Sequence, residues 1–206
     1  MAPRPALQMR WHRPLPIPAF SIALSGYFRH EVGRKLCNDQ CRMHRNAVVV
    51  MEAARAAGLA IEVVEHADET RTAIEAAQAV GVEVGAIVKS LVFAVGESSK
   101  GDGEIVVALV SGSNQLDERK LAAAAGARKA WRIDAHAVRD ATGFAVGGIP
   151  PFGYPVPLRM FIDPDLMKHV VVWAAAGTPN HVFGSAPDDL ATATGAIVAD
   201  LAKAAS

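Results

Sequence analysis

Apolar runs separated by glycines and charged residues divide the chain after about residue 46 into short segments. Segments dominated by valine, isoleucine and phenylalanine are typical of strands, and we predict strands at 61–66, 87–95, 104–110, 128–133, 159–163, 169–175 and 182–183. Alanine-rich segments that follow Ser, Thr or Asp and end at a glycine are typical of helices. These are 48–57, 73–80, 116–125, 136–141 and 185–193, with one or two further helical turns at 196–204.

The order of these segments favours an α+β domain. Neighbouring strands are joined by hairpins or by short helices, as in the polar loop at 98–103, and strands and helices do not alternate strictly. Strict alternation would instead indicate a doubly wound parallel sheet. We therefore expect a curled, mixed and mostly antiparallel sheet, barrel-like and flanked by helices.

Residues 1–45 lack this regular pattern and contain five prolines and many arginines. Three interpretations compete: a targeting peptide, a disordered basic arm that touches RNA, and translation from a start codon upstream of the true one at Met43 or Met51. Disorder or an upstream start is favoured over a functional arm. The predicted organisation is an N-terminal extension at 1–45 and one domain at 46–206.

Composition indicates a soluble globular protein, with half of the residues hydrophobic and a fifth charged. No apolar run reaches the roughly 18 residues of a membrane span, so no membrane contact is predicted. Cys37 and Cys41 make no disulfide framework, which favours the cytoplasm. Together with His44 they match part of a zinc site, but no second ligand pair follows. No metal or cofactor is predicted.

The net charge of zero hides an asymmetry along the chain. Residues 1–46 contain eight of the 21 basic and two of the 21 acidic residues, so the remainder is mildly acidic. A broad, sequence-independent grip on nucleic acid needs many phosphate contacts, and the acidic domain argues against one. A local contact with the end of a strand remains open.

Residues 142–153, here called the glycine–proline loop, contain four glycines and two prolines. Glycine permits unusual backbone angles and a close approach of another molecule, whereas proline fixes the chain and has no N–H. The N–H groups of Gly147, Gly148 and Ile149 are therefore candidates to bind a carbonyl or hydroxyl oxygen. A tight turn between two strands is the alternative interpretation.

Two further features could carry chemistry. Lys89 interrupts the strongest apolar strand, where a lysine either reaches water or meets an anion; an edge lysine that discourages aggregation is the alternative. Thr178, Asn180 and His181 lie at a polar break near the end of the chain and are candidate substrate-binding residues. His181 could equally be a half-exposed turn residue. No catalytic triad, Walker loop or dinucleotide fingerprint is present.

Three segments, at 81–93, 142–153 and 176–181, resemble the YbaK/prolyl-tRNA-editing domain family. These are aminoacyl-tRNA deacylases related to the insertion domain of prolyl-tRNA synthetase, and the resemblance covers about residues 47–202. The Val-Lys-Ser strand, followed at this distance by the glycine–proline loop, is specific to that family. The resemblance implies the fold of that insertion domain and hydrolysis of the ester between a wrong amino acid and the terminal adenosine of tRNA.

Roles for individual residues follow from the resemblance. Lys89 matches the family's strand lysine, expected to hold phosphate or the charged end of the substrate. Gly147 begins the family's Gly-x-x-x-Pro motif, which closes at Pro151 and whose backbone should hold the terminal ribose and the ester carbonyl. Asn180 and His181 fall where several members place a pocket residue, although this sequence lacks the acid that some members carry there.

The expected substrate is tRNA for proline, bound by its acceptor end, and the expected chemistry needs no cofactor. Because no side-chain base is evident, the substrate itself is expected to activate the water. Prolyl-tRNA synthetase or another tRNA-binding protein is a candidate partner. The alternative is a non-catalytic member of the same fold that binds a small ligand or a protein.

Overall fold

The computed structural model describes residues 43–66, 72–98 and 103–204. Almost all of the predicted N-terminal extension, including Cys37 and Cys41, lies outside these residues. The nature of that extension therefore stays a prediction.

Five α-helices form in the described part of the chain. They are α1 (Arg45–Ala56), α2 (Ala73–Val80), α3 (Glu118–Ala125), α4 (Ala135–Thr142) and α5 (Pro187–Thr194). Helix α2 has the predicted bounds because both of its ends are encoded locally. The Thr72 side chain and the Glu75 side chain form a capping box at its start, and Gly81 adopts a left-handed conformation at its end. No helix among the described residues combines the length and the apolar character that crossing a membrane requires.

The described residues form eight strands in two sheets. The strands are β1 (Val63–Glu65), β2 (Val88–Gly96), β3 (Glu104–Ser111), β4 (Lys129–Arg132), β5 (Arg159–Ile162), β6 (Val172–Thr178), β7 (His181–Ser185) and β8 (Ile197–Val198). The larger sheet has the order β4-β2-β3-β5-β8, and the smaller has the order β1-β7-β6. Antiparallel pairs predominate, and β3-β5 and β5-β8 are parallel, which confirms the α+β class and the mixed sheet.

The expectation of one barrel-like sheet is wrong. The five-stranded sheet ends in β4 on one side and in the two-residue β8 on the other, and these edges do not pair. The chain reverses direction after Thr178, so β6 pairs with β7 and forms the second sheet. A single isolated bridge between Ile87 and Trp173 connects the two sheets among the described residues.

The predicted helical turns at 196–204 are also wrong. Gly195 ends α5 in a left-handed conformation, and Ile197 and Val198 then pair in parallel with β5. The Ala199 N–H continues this pairing by donating to the Ile162 carbonyl at 3.0 Å. The β-branched residues Ile197 and Val198 favour a strand, and the open edge of β5 pairs with them. This pairing outweighs the helix preference of the neighbouring alanines.

Strand β2 carries two hydrophobic cores, one on each face, because successive side chains alternate. Val88 and Val92 pack in one core, and Phe93 and Val95 pack in the other. By the same alternation Lys89 shares the face of Phe93. Strand β4 pairs with β2 only from Phe93 to Gly96, so the described ladder leaves the first half of β2 open on that side, and the candidate site lies there.

Candidate active site

A cavity of about 270 Å³ lies between α2, the beginning of β2, strand β6 and the glycine–proline loop. Its wall is mainly apolar, and Lys89 is the one ionisable side chain among the described residues that line it. The apolar and small members of the wall are Ala73, Ala76, Val80, Ile87, Val88, Leu91, Val146, Gly147, Ile149, Trp173, Ala174, Ala175, Pro179 and Val182. The cavity therefore offers a ligand apolar contact, one positive charge and the polar groups of the backbone.

The Lys89 ammonium is held from the side of the turn Ser111–Asn114, which follows β3. Its Nζ donates to the Gly112 carbonyl at 3.1 Å and also donates to the Asn114 carbonyl. An ammonium has three N–H donors, so one remains beyond these two described bonds. Burial lowers the pKa of Lys89 because it disfavours the charged form, and the negative charge of Asp163 opposes this effect.

The glycine–proline loop contributes two residues to the lining of the cavity. Gly147, which has a φ of 98°, and Ile149 both line it, and the described hydrogen bonds give their N–H groups no acceptor within the protein. The Gly148 N–H instead donates to the Ala145 carbonyl at 3.1 Å. This corrects the expectation that all three amides face a ligand, since the Gly148 amide is used to close the loop.

Gly148 has a different function, which is steric. A Cβ atom at this position would lie 2.7 Å from Cα and 2.8 Å from the carbonyl carbon of Thr178. Real Cβ atoms do not approach backbone this closely. Glycine therefore lets the loop lie directly against the end of β6, and this contact joins two walls of the site.

Tyr154 also fixes the glycine–proline loop. Its hydroxyl donates to the Pro150 carbonyl at 2.5 Å, and its ring packs edge-on against Phe144. Burial raises the pKa of Tyr154, so the phenol keeps its proton. Pro151 is buried and is not a lining residue, so it shapes the loop rather than the cavity surface.

The polar break forms a hydrogen-bonded cluster outside the cavity lining. Thr178 Oγ1 donates to Asn180 Oδ1 at 2.8 Å and lies 2.6 Å from His181 Nδ1. His181 is 3% exposed, and its Nε2 lies 3.9 Å from Glu65 Oε1. Because side chains alternate along β7, Val182 faces the cavity and His181 lies on the opposite face. The structure thus brings Lys89, Gly147 and Ile149 together at the cavity. The cluster of Thr178, Asn180 and His181 lies outside the cavity lining.

Sequence reasoning missed the part of the wall formed by α2 and by Trp173. Ala73 and Ala76 are one helical turn apart and both face the cavity. Alanine is common in helices of every environment, so the sequence did not mark this face of α2 as a cavity wall. Trp173 stood in a predicted strand, and only the pairing of β6 with Ile87 shows which face it occupies.

The buried imidazole of His181 predicts a pH-dependent stability. Burial lowers the pKa of His181, more strongly than the charge of Glu65 raises it, and the nearby His44 also lowers it. The unfolded chain therefore takes up a proton first as the pH falls below about 6.5. We expect the midpoint of thermal unfolding, Tm, to fall between about pH 7.5 and pH 5.5.

Calorimetry of His181→Asn tests this expectation. The Tm of the variant should fall less than that of the wild type between these two pH values. His136→Asn is the matched control, because His136 is exposed and pairs with Asp140 at 2.9 Å. That control should keep the wild-type loss. An equal pH dependence in wild type and His181→Asn would contradict the assignment.

The described residues form an α+β domain with a mainly apolar cavity that strands of both sheets line. Residues 67–193 match the aminoacyl-tRNA editing domain family, and the chain belongs to that family. The resemblance predicted from three motifs is confirmed.

Individual relatives agree with this assignment. A crystal structure of a proposed trans-editing enzyme for prolyl-tRNA synthetase superposes with a TM-score of 0.71 at 44% identity, over 78% of this chain and 99% of that chain. Protein YwhH of Bacillus subtilis is 29% identical over 130 residues, which are 63% of this chain and 78% of that protein. A proposed Cys-tRNA(Pro)/Cys-tRNA(Cys) deacylase, EbsC of Enterococcus faecalis, is 26% identical over 125 residues, or 61% and 73% of the two chains.

Proposed function

We propose that the protein is a freestanding editing hydrolase that cleaves the ester between a wrong amino acid and the 3′-terminal adenosine of tRNA. The observation that carries this proposal is the meeting of Lys89 with the exposed backbone of the glycine–proline loop at one cavity, in a chain of the aminoacyl-tRNA editing family. Transfer RNA for proline is the expected substrate. Support for that choice comes from the relatives whose names refer to prolyl-tRNA synthetase or tRNA(Pro).

The loop amides would stabilise the transition state. Attack on the ester carbon places negative charge on the carbonyl oxygen, and fixed N–H donors that point at this oxygen lower the barrier. The amides of Gly147 and Ile149 are the candidate donors. Tyr154 and the Gly148 contact hold the loop before substrate arrives, so little reorganisation is needed during the reaction.

Lys89 would orient the substrate by its charge. The end of a charged tRNA carries phosphate groups near the ester, and a partly buried ammonium attracts an anion more strongly than an exposed one does. The two backbone bonds to Nζ restrict where the charge sits. We therefore assign Lys89 to a phosphate or to the charged end of the substrate.

Activation of the water is assigned to the substrate. Aside from Lys89, the described residues that line the cavity carry no ionisable side chain that could act as a base. The amino group of the substrate would accept the proton of the attacking water and pass it to the leaving ribose oxygen, or the free ribose hydroxyl would relay that proton directly. The water oxygen bonds to the ester carbon, the bond from that carbon to the ribose oxygen breaks, and the ribose oxygen ends as a hydroxyl.

Selection among amino acids would rest on the size and polarity of the cavity. An apolar wall discriminates weakly between side chains that differ by one methylene, by about 1–3 kcal/mol, which is why a separate editing site is useful to a synthetase. The wall carries no carboxylate among its described residues, so small uncharged side chains fit it best. The acidic domain leaves affinity for whole tRNA dependent on the acceptor end or on a cytoplasmic partner such as prolyl-tRNA synthetase.

A panel of mischarged tRNAs tests the proposal. The purified protein should release alanine, cysteine or serine from tRNA(Pro) faster than buffer does, and should leave correctly charged tRNA(Pro) largely intact. A role in binding alone is the second candidate, favoured by the engagement of the Lys89 ammonium with carbonyl groups of the protein itself. Binding of tRNA without deacylation of any member of the panel would favour that second role.

A further inference from the structure

The position of the Lys89 ammonium depends on a turn that lies outside the cavity lining. Both described acceptors of Nζ are backbone carbonyls of the turn Ser111–Asn114. A backbone carbonyl moves only when its turn moves. A group that holds this turn in place therefore also sets the position of the Lys89 ammonium.

A buried carboxylate holds the turn in place. Asp163 is 1% exposed, and its Oδ2 accepts from the Ser111 N–H at 3.2 Å and from Asn114 Nδ2 at 2.8 Å. Its Oδ1 accepts from the Asp165 N–H at 3.0 Å. The two bonds from Oδ2 reach the first and the last residue of the turn, so one side chain clamps both ends.

Strand pairing places this carboxylate. Asp163 directly follows β5, which runs parallel to β3, and its N–H donates to the Leu109 carbonyl at 2.9 Å. The sheet thereby sets Asp163 beside the end of β3, where the turn begins. A carboxylate in a buried position is costly unless it is paired or hydrogen-bonded, and its three described bonds are all used on local architecture.

We propose that Asp163 is a positioning residue that fixes the Lys89 ammonium at the cavity wall by clamping both ends of the turn Ser111–Asn114. The functional part of this inference rests on the proposed function, because it supposes that the Lys89 charge acts on substrate. The positional part concerns the protein alone.

Among the described residues, Asp163 is the charged group that affects the pKa of Lys89. That charge raises the pKa of Lys89 against the lowering effect of burial. Other ionisable groups near the turn have their own partners: Asp165 Oδ1 lies 2.5 Å from Lys168 Nζ, and Asp165 Oδ2 accepts from Asn114. The His169 ring lies beside Gly85. Removing the Asp163 charge should therefore leave the lysine with burial unopposed.

The variant Asp163→Asn tests the inference by a measurement that needs no activity. Lysines are labelled with 13C at Cε, and the Lys89 resonance is assigned by its absence in Lys89→Arg. The titration midpoint of Lys89 should move to lower pH in Asp163→Asn than in wild type. Asp200→Asn is the control, because it removes an exposed carboxylate that pairs with Lys120 at 2.7 Å, and it should leave the midpoint unchanged.

Activity provides the second readout. In Asp163→Asn, kcat/KM for deacylation should fall at least about tenfold, since small displacements of a substrate-positioning group have large effects. The alkaline decline of kcat/KM should also begin at lower pH, because the lysine loses its proton earlier. An unchanged kcat/KM together with an unchanged Lys89 midpoint would overturn the inference.

Two further outcomes keep the test decisive. If Asp163→Asn does not fold, Asn114→Ala serves in its place: it cuts one end of the clamp and keeps the charge, so kcat/KM should fall while the Lys89 midpoint changes less. Unchanged kcat/KM in Asn114→Ala would count against the clamp. If the wild type deacylates no tRNA, the proposed function fails, and the lysine titration alone decides whether Asp163 sets the Lys89 charge.

Discussion

Replacing Lys89 with alanine is expected to lower kcat/KM for deacylation by about 100-fold or more. Loss of one partner from a desolvated charge contact costs about 2–5 kcal/mol, and a factor of ten corresponds to about 1.4 kcal/mol. The cavity wall has no other described cation that could replace Lys89. Single-turnover kinetics with mischarged tRNA(Pro) measure the effect.

Lys203→Ala is the matched control, because Lys203 is exposed and lies outside the cavity. It should deacylate like the wild type. Lys89→Arg keeps the charge, but a planar guanidinium cannot reproduce the bonds of an ammonium to the Gly112 and Asn114 carbonyls. It should recover only part of the loss. Activity of Lys89→Ala within about threefold of wild type would remove Lys89 from the mechanism.

Replacing Gly148 with alanine is expected to lower deacylation by about 100-fold with only a moderate loss of stability. The added Cβ would meet the Thr178 backbone at 2.7 Å, so the loop must move away from the end of β6. That movement displaces the amides of Gly147 and Ile149, and a shift of about 1 Å in positioning groups can cost about 100-fold in rate. The single-turnover rate constant and the free energy of unfolding, measured together, separate the two effects.

Gly126→Ala separates a site effect from a general loss of stability. Gly126 ends α3 with a φ of 70°, and no atom lies within 4 Å of an added Cβ. The substitution therefore strains the backbone by about 1 kcal/mol without touching the site. It should destabilise the protein and leave the deacylation rate unchanged. If Gly148→Ala kept the wild-type rate, the close contact between the loop and β6 would have no part in catalysis.

Local signals predicted the helices well. Thr72 with Glu75 and the left-handed Gly81 define both ends of α2, and such caps depend on neighbours in sequence alone. The segment at 196–204 shows the limit of the same signals. Its alanines suggested a helix, whereas Ile197 and Val198 pair with β5, a strand more than thirty residues earlier. Sequence pattern does not reveal which distant edge is open.

Sequence motifs predicted one part of the candidate site and misplaced another. The pairing of Lys89 with the glycine–proline loop followed from motifs, and the structure places both at one cavity. His181 was grouped with them because it stands beside polar residues. Its side chain lies behind the sheet because Pro179 and Asn180 make a two-residue turn and β7 begins at His181. A shift of one residue would reverse every side chain of β7, and composition does not fix that register.

The Gly148 and Asp163 results could not be reached from sequence at all. Gly147 and Ile149 line the cavity and their N–H groups have no described acceptor, whereas the Gly148 N–H donates to the Ala145 carbonyl. Only coordinates separate these cases. Asp163 looked like the end of a strand. Its clamp on the Ser111–Asn114 turn depends on the parallel register of β3 and β5.

We propose that the cavity binds the ester end of aminoacyl-tRNA with its carbonyl against the loop amides. A crystal structure with a stable analogue, in which an amide replaces the ester of a 3′-aminoacyl adenosine, tests it most directly. We predict the aminoacyl group inside the cavity, with its carbonyl oxygen about 2.7–3.1 Å from the amide nitrogen of Gly147 or Ile149. An analogue bound elsewhere on the domain, or bound with its carbonyl turned away from both amides, would contradict the account.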